Sequence, residues 1–295
     1  MKTQTMRKLN HMTFVDYLIY LLIILLCMIF LYPMILTLSL SVSDMAKSVK
    51  TVTFLPHGFT LDSYVFLLTD GKILQYYINS VFYAFSATLL SLIVTSMAAY
   101  PFIVKEFRGK KFFNIFMIFT MFFGGGLVPS YFINRSIGFV DNPLVMIIPG
   151  ALGAYTVVIY RTFFNNLPLE LRESAYIDGA GHSMILFKII IPLSKPLLAT
   201  FALMGLVGKW NDFFTALIYL RNTDMHPVQM LLRRMLVQLD YSDVTSREFS
   251  MLSTNVTSRS VKCAAVIITI TPVMCVYPFM QKYFTKGFLV GSLKS

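Results

Sequence analysis

Residues 173–192 read ESAYIDGAGHSMILFKIIIP, and this segment lies between two long apolar runs of the chain. It carries two carboxylates, Glu173 and Asp178, continues through a Gly-x-Gly sequence and ends in a short apolar run that stops at Pro192. The segment is too polar to cross a bilayer, because a crossing needs about 20 predominantly apolar residues. It is also too apolar for a loop that lies wholly in water, so the sequences on either side decide how it is interpreted.

Six apolar blocks account for most of the chain and predict its fold class. Of the 295 residues, 56% are hydrophobic and 13% are charged, whereas a soluble domain carries roughly 25% charged residues. The apolar residues concentrate in blocks near the length of a membrane span, at about 17–40, 73–100, 112–133, 143–164, 196–220 and 261–284. We therefore expect an all-α integral membrane protein with six transmembrane helices, because a helix pairs its own backbone polar groups in lipid.

Basic residues predict the orientation of these helices. With the amino terminus inside, 14 of the 25 Lys and Arg residues fall in inner segments, and the turn KEFRGKK (105–111) supplies four of them. The positive-inside rule then makes both termini cytoplasmic. The first block is longer than a signal h-region and no A-x-A site follows it, so we interpret it as a retained span. The chain then divides into a cytoplasmic segment (1–13), a first span with its outer loop (14–72), a five-span core (73–284) and a cytoplasmic tail (285–295).

Composition argues against several classes of function. The three cysteines form no C-x-x-C pair and the four histidines are scattered, so neither a disulfide framework nor a metal site is indicated. No G-x-x-x-x-G-K-[ST] sequence is present, and we do not expect this chain to hydrolyse ATP. The net charge of +11 follows from membrane topology and favours anionic lipid, not nucleic acid. A membrane-embedded transferase is a weaker alternative, because no acidic or histidine cluster marks one membrane face.

Residues 168–192 predict two short helices that meet at a glycine and lie along the inner membrane surface. Pro168 suits the start of a helix, and Gly179 stops that helix or turns it sharply. The second helix then runs to Pro192. Small side chains would let another protein approach closely, at Ser174, Ala175 and Gly179. The residues alone leave two alternatives open, a docking element and an amphipathic helix that rests in the lipid headgroups.

The same segment resembles a known family signature. Glu173-Ser174-Ala175, three residues, Gly179, nine residues, Ile189, one residue and Ile191-Pro192 resemble the E-A-A–x3–G–x9–I–x–L–P signature. That signature marks the membrane permeases of binding-protein-dependent ABC importers. Ser174 stands for Ala and Ile191 for Leu, and both replacements keep the size class. Further sequences, including KWNDFFTALIYL and QKYFTKGFLVGSLKS, are similar to the six-span member of the permease pair in the maltose-type, complex-carbohydrate branch.

The resemblance implies an assembly in a bacterial cell membrane. A homologous permease would form a translocation path with this chain, and two ATPase subunits that bind ATP and Mg would lie beneath them. A periplasmic or extracellular solute-binding protein would deliver an oligosaccharide to the outer face. This chain would be a transport subunit without a cofactor of its own. The same architecture carrying another solute, such as a peptide or a polyamine, is the alternative.

The resemblance also implies roles for the segment between spans 4 and 5. Residues 169–192 would dock in a groove of one ATPase subunit and move when ATP closes the ATPase dimer. The coupling residues would be Glu173, Ser174, Ala175, Gly179, Ile189 and Pro192. Glu173 would pair with a basic group of the ATPase; the alternative is a charge contact with Arg172 or with solvent.

Polar residues within the fifth span predict a substrate path or a gate. Charged groups at the bilayer centre cost about 2.5–3.5 kcal/mol each, so they usually face the interior of the bundle. Lys209 and Asp212 are three residues apart and can pair on one face of a helix. Between them, Trp210 could stack on a pyranose ring and Asn211 could bind a hydroxyl. The alternative is a structural latch between spans.

Two further features are less specific. The third span contains Gly124, Gly125 and Gly126, which predict a hinge or a close helix contact. The outer segment 221–262 is expected to receive the binding protein, and its Arg233 and Arg234 could favour an acidic glycan. A simple surface loop would have the same composition.

Overall fold

The computed structural model describes residues 14–44, 55–56, 58–69, 71–241 and 258–292. Over these residues the chain is helical, with one isolated bridge between Ser43 and Phe59. Several predicted features lie outside the described residues, namely the cytoplasmic segment 1–13, part of the first outer loop (45–54), part of the outer segment (242–257) and the last three residues of the tail.

Twelve helices are numbered here in chain order over the described residues. They are α1 (Phe14–Ser41), α2 (Asp62–Thr69), α3 (Lys72–Ala99), α4 (Lys110–Phe122), α5 (Leu127–Ser136), α6 (Ala154–Asn165), α7 (Leu169–Ile177), α8 (His182–Leu193), α9 (Lys195–Trp210), α10 (Phe213–Tyr219), α11 (Val228–Tyr241) and α12 (Ser258–Ser292). Helix α8 contains a π-helical turn, Leu186–Ile190. Short 3-10 turns cover Tyr100–Ile103, Pro143–Met146 and Thr223–Met225.

Three helices among the described residues are long and apolar enough to cross a bilayer. They cover Phe14–Ser41, Lys72–Ile103 and Arg259–Pro278. Two bent pairs also qualify if each pair is one span, α4 with α5 at 116° and α8 with α9 at 81°. The all-α membrane fold is therefore confirmed, with three to five candidate spans instead of six uninterrupted ones.

The fourth predicted block, residues 143–164, is not one continuous helix. Helix α6 covers only Ala154–Asn165, about 18 Å at 1.5 Å per residue, whereas the hydrocarbon core is about 30 Å thick. Pro149 has no N–H to donate, and Gly150 adopts φ +81°, so the chain turns before α6. The apolar residues of this block are nonetheless buried within the protein, Val145 and Met146 completely. Their hydropathy reflects packing inside the chain.

The chain divides into two compact units, residues 1–69 with 239–268 and residues 70–238 with 269–295. In the first unit, α1 exposes its apolar side chains along most of its length and buries only its last three residues. In the second unit, one core cluster brings together the end of α3, helix α6 and helices α7 and α8. Its fully buried members include Ala99, Tyr160, Phe164, Ile185 and Ile190. This cluster fixes the segment with which the sequence analysis began.

Candidate coupling and substrate-path sites

Helices α7 and α8, called here the α7–α8 pair, meet at a Schellman motif. The N–H of Ala180 donates to the carbonyl of Ala175 at 2.9 Å, and the N–H of Gly179 donates to the carbonyl of Tyr176 at 3.0 Å. Gly179 has φ +80°, a conformation that L-residues other than Gly adopt at a cost. The glycine predicted to stop α7 therefore forms its C-terminal cap.

The predicted coupling residues fall on different faces of the α7–α8 pair. Glu173 and Ser174 are exposed, and Pro192 is also exposed. Ala175 is 8% exposed and packs in the core cluster, so its side chain faces the interior of this chain, and its contact with another protein stays a prediction. Ile189 is half-buried against the same cluster. Pro192 does not end α8, which continues to Leu193.

Glu173 has an ion-pair partner within the chain. Its Oε1 lies 3.5 Å from Nζ of Lys105, and both side chains are more than half exposed. The neighbouring Arg172 donates through Nη1 to the carbonyl of Ile103 at 3.3 Å. Both contacts join α7 to the turn that follows α3. Glu173 thus pairs with Lys105 and not with the neighbouring Arg172, which was the alternative. An exposed ion pair of this kind contributes about 0–1 kcal/mol, so Glu173 stays available for another basic partner.

Apolar side chains on the outer side of the α7–α8 pair were not singled out from the sequence. Ile177 is 86% exposed, and Leu171, Met184 and Phe187 are each about half exposed. Ile177 follows the buried Ala175 by two positions, about 200° around an α-helix, so it projects to the opposite side. That spacing is the signal in the sequence that could have identified an exposed apolar residue here. The pair thus combines an anchored face with an exposed apolar face.

The polar cluster of the fifth span coincides with a break between α9 and α10. Nζ of Lys209 lies 3.6 Å from Oδ2 of Asp212, which is the pairing that their spacing predicts. Asp212 also caps α10, because its Oδ1 accepts from the N–H of Thr215 at 3.0 Å and its Oδ2 from the Thr215 hydroxyl at 2.9 Å. The carbonyl of the Asn211 side chain accepts from Nε2 of Gln229 at 3.0 Å. The predicted fifth span is thus two helices joined by a capped turn.

Trp210 is packed inside the protein. It is 6% exposed, its Nε1–H donates to the carbonyl of Thr269 at 3.1 Å, and its ring lies edge-on to Tyr77 with centroids 5.7 Å apart. Neither face is open for a pyranose ring in this conformation. The cluster connects α9, α10, α11 and α12 through these side-chain contacts.

The three glycines of the predicted third span form the bend between α4 and α5. Gly126 has φ +80°, and a Cβ added at Gly124 or Gly126 would meet no atom within 4 Å. Among the described residues, neither α4 nor α5 has a buried side chain. The glycines therefore permit a bend of 116°, and they make no close helix contact with the residues that the structure describes.

The loop between α10 and α11 is held by a dense set of hydrogen bonds. Oδ1 of Asp141 accepts from the N–H of Asn222 at 2.8 Å and from that of Arg221 at 3.0 Å. These two bonds, first that from Asn222 and then that from Arg221, lower the pKa of the Asp141 carboxyl. Asp141 is itself a non-glycine residue at φ +57°. Within the described part of α11, Arg233 and Arg234 are half-buried.

No metal centre is present among the residues that the structure describes, since no three His, Cys, Asp or Glu side chains are grouped there. The three cysteines are free thiols. The site residues offer exposed surface, ion pairs and hydrogen bonds.

Comparison with known proteins identifies the family. Residues 73–290 match the family described as "Binding-protein-dependent transport system inner membrane component". Protein LplC of Bacillus subtilis (strain 168) is 38% identical over 240 residues, which cover 81% of this chain and 80% of LplC. The polygalacturonan/rhamnogalacturonan transport system permease protein YtcP of the same strain is 33% identical over 285 residues, covering 95% and 98% of the two chains.

A solved structure shares the fold. One chain of a bacterial ABC transporter involved in the import of the acidic polysaccharide alginate superposes with a TM-score of 0.85 at 31% identity. The match covers 92% of this chain and 96% of that one. The protein is accordingly an integral membrane transport subunit and not an enzyme. This chain belongs to the family of binding-protein-dependent transport system inner membrane components.

Proposed function

We propose that this chain is one permease half of an ATP-driven oligosaccharide importer, coupled to an ATPase subunit through the α7–α8 pair. The observation that carries the proposal is the two-sided character of the pair. One face packs in the core cluster through Ala175, Ile185 and Ile190, while Ile177 projects from the other. An exposed apolar side chain at such a position favours a protein partner.

We further propose six passages through the membrane with both termini cytoplasmic. Three passages would correspond to the continuous helices, one to the bent pair α4–α5 and one to α9, the helix that follows the α7–α8 pair. The fourth would combine α6 with the irregular residues 147–153. Irregular backbone is tolerated at membrane depth where protein covers it, and the burial of Ile147 and Ala151 supports this. The turn 105–111 and the α7–α8 pair then lie on the cytoplasmic side.

The full assembly would contain a homologous permease, two ATPase subunits that bind ATP and Mg, and a solute-binding protein. The exposed apolar side chains of α4 and α5 offer surface to lipid and to the homologous permease. The α10–α11 loop, at the far end of α3 from the α7–α8 pair, would receive the binding protein. The Lys209–Asp212 pair and Trp210 would act as a latch, with most sugar contacts in the partner permease.

The proposed solute is an oligosaccharide, and acidic oligosaccharides are the first class to test. One relative is named for polygalacturonan and rhamnogalacturonan transport, and the similar solved structure concerns the acidic polysaccharide alginate. Arg233 and Arg234 of α11 are basic residues near the loop proposed to receive the binding protein. A neutral oligosaccharide or another solute would keep the architecture and change only the substrate.

In the decisive experiment, the complex is purified in lipid from cells that also express the homologous permease, the ATPase and the binding protein encoded by neighbouring genes. Ile177→Asp places a charge on the exposed apolar face and should reduce the retained ATPase by tenfold or more, the size expected of a hot spot worth about 2 kcal/mol. Ile177→Val, which keeps an apolar side chain, should retain it. If no ATPase associates with the unmodified chain, the importer proposal fails.

Substrate choice is tested with the same complex. Short oligogalacturonates and neutral arabino-oligosaccharides are added with the binding protein, and ATP hydrolysis is measured. Stimulation by one class names the solute, and Gly179→Val should weaken that stimulation because a β-branched residue is strained at the φ of +80° in the turn between α7 and α8. If the ATPase associates but no oligosaccharide stimulates its ATP hydrolysis, the oligosaccharide assignment is contradicted and the coupling assignment stands.

A further inference from the structure

Three side chains join the α7–α8 pair to the end of helix α3. Nδ1 of His182, the first residue of α8, lies 2.8 Å from the hydroxyl of Tyr176 and 3.2 Å from that of Tyr100. The two hydroxyls are 3.3 Å apart, and the imidazole meets both tyrosine rings edge-on. Tyr100 directly follows the last residue of α3 and is 6% exposed. Both helices of the pair thus contact, through polar groups, one buried residue that directly follows α3.

The opposite end of α3 holds the α10–α11 loop in a similar way. Nδ2 of Asn79 donates to the carbonyls of Asp224 at 2.7 Å and of His226 at 3.1 Å. The Tyr83 hydroxyl donates to the carbonyl of Met225 at 2.9 Å. The hydroxyl of Ser80 accepts from the N–H of Val228 at 2.8 Å. Three residues within five positions of α3 therefore bind successive backbone groups of one loop.

Helix α3 is suited to carry movement between these two ends. It is a continuous helix of 28 residues, about 42 Å long, and its sequence contains neither Pro nor Gly. Kinks in helices usually arise at such residues. Near its middle, Thr88 lies against Gly205 of α9, where an added Cβ would come within 3.0 Å of the threonine side chain. The helix is thus stiff, and its contacts with both ends are polar and directional.

We propose that α3 transmits movement of the α7–α8 pair to the α10–α11 loop, and that Tyr100 is the positioning residue at the point of transfer. The inference rests on the proposed function, because the movement originates in an ATPase bound to the pair. Tyr100 touches neither ATP nor solute. It acts by making α7, α8 and α3 move together, and Asn79, Ser80 and Tyr83 carry that shift to the loop.

Hydrogen exchange tests the inference without knowledge of the solute. The complete complex, with both permeases and the ATPase, is measured in lipid with and without a non-hydrolysable ATP analogue. The amides of Arg221, Asn222, Met225, His226 and Val228 all donate within the protein, so their exchange reports local opening of the loop. We expect the analogue to change their exchange in the unmodified complex, and Tyr100→Phe to reduce that change twofold to tenfold, as loss of one hydrogen bond allows.

The matched control is Tyr160→Phe. Tyr160 belongs to the same core cluster and is fully buried, and its hydroxyl has no hydrogen-bond partner among the described residues. This variant should respond like the unmodified complex. If Tyr100→Phe folds poorly, Tyr176→Phe and His182→Ala test the same hydrogen-bonded contact through its two exposed partners. Thermal unfolding of each complex separates lost transmission from lost stability.

Each outcome decides the question. If the exchange response of the loop in Tyr100→Phe and in Tyr176→Phe is as large as in Tyr160→Phe, the inference is overturned while the importer function stands. The absence of any response at the loop in an assembled, unmodified complex would overturn it as well. If no ATPase assembles with the unmodified chain, the proposed function itself fails and this inference falls with it.

Discussion

Two glycine-containing bends occupy contrasting environments in this protein. At the bend between α7 and α8, Gly179 has φ +80°, and both neighbouring helices place residues in the core cluster. At the bend between α4 and α5, Gly126 has the same φ, yet neither helix has a buried side chain among the described residues. Both bends need a glycine at positive φ, and among the described residues only the first is fixed by contacts on both sides.

The difference teaches that a glycine specifies where a chain turns but not whether the turn is rigid. A bend whose helices are both anchored can carry force, because a displacement of one helix must displace the other. A bend without anchors follows whatever surrounds it, here lipid or the proposed partner permease. The four predictions below test this contrast, beginning with the largest expected effect.

Removing an anchor should separate the two bends most clearly. Ile185 of α8 is fully buried, whereas Ile115 of α4 is 60% exposed. Ile185→Ala should lower the free energy of unfolding by about 2–4 kcal/mol because it leaves a cavity. Ile115→Ala removes the same atoms without a cavity and should cost less than about 1 kcal/mol. Thermal or denaturant unfolding in detergent measures both, and equal costs would show that the α7–α8 pair is not anchored as described.

A third interruption, between α9 and α10, is fixed by a cap instead of a core. Asp212→Ala removes the cap of α10 and leaves Lys209 without its carboxylate, so we expect a loss of about 2 kcal/mol. Asp212→Asn keeps an oxygen that accepts from the N–H of Thr215 and loses only the ion pair, at a cost of about 1 kcal/mol or less. Equal losses in unfolding experiments would mean that the charge, and not the cap, holds the turn.

The glycines themselves give a smaller effect. Gly179→Ala forces a side chain into the left-handed region, which costs roughly 1–2 kcal/mol. Its matched control is Gly181→Ala, because Gly181 has φ −72° and an added Cβ would meet nothing within 4 Å. That control should be neutral or slightly stabilising.

The corresponding change at the unanchored bend is Gly126→Ala. It places a side chain at φ +80° and ψ 176°, which residues other than glycine rarely adopt, but α4 and α5 can change their angle to relieve the strain, so we expect a cost below about 0.5 kcal/mol. Unfolding midpoints of the three variants rank these costs. A loss at Gly126 as large as that at Gly179 would contradict the contrast between anchored and unanchored bends.

Acid sensitivity at Asp141 is the smallest effect. Asp141 adopts φ +57° although it is not a glycine. Two backbone N–H groups, those of Asn222 and Arg221, donate to its carboxylate and lower its pKa. A lowered pKa stabilises the fold at pH values above the unfolded value of about 3.9, and this contribution is lost as the pH falls through the lower folded value. Asp141→Asn should therefore be slightly less stable than the unmodified chain at pH 6 and equal to it in acid. A difference in unfolding midpoint that does not shrink with falling pH would contradict this assignment.

Much of the site was visible in the sequence because it depends on local chemistry. The pairing of Lys209 with Asp212 follows from a spacing of three residues, and the end of α7 follows from Gly179. The burial of Ala175 and Trp210 was not predictable in the same way. It depends on Tyr160 and Phe164 of α6, and on Thr269 of α12, which are distant in the sequence.

The amino-acid sequence by itself determined the all-α membrane fold, the family and the turns at the glycines of residues 124–126 and 179. These properties follow from the length of the apolar blocks, from the signature at residues 173–192 and from glycines at defined positions. Tertiary structure alone decided which apolar block is a continuous helix, which bend is anchored and which side chains stay exposed. The physical reason is that hydropathy records only a preference for an apolar environment, which lipid and the protein interior satisfy equally well.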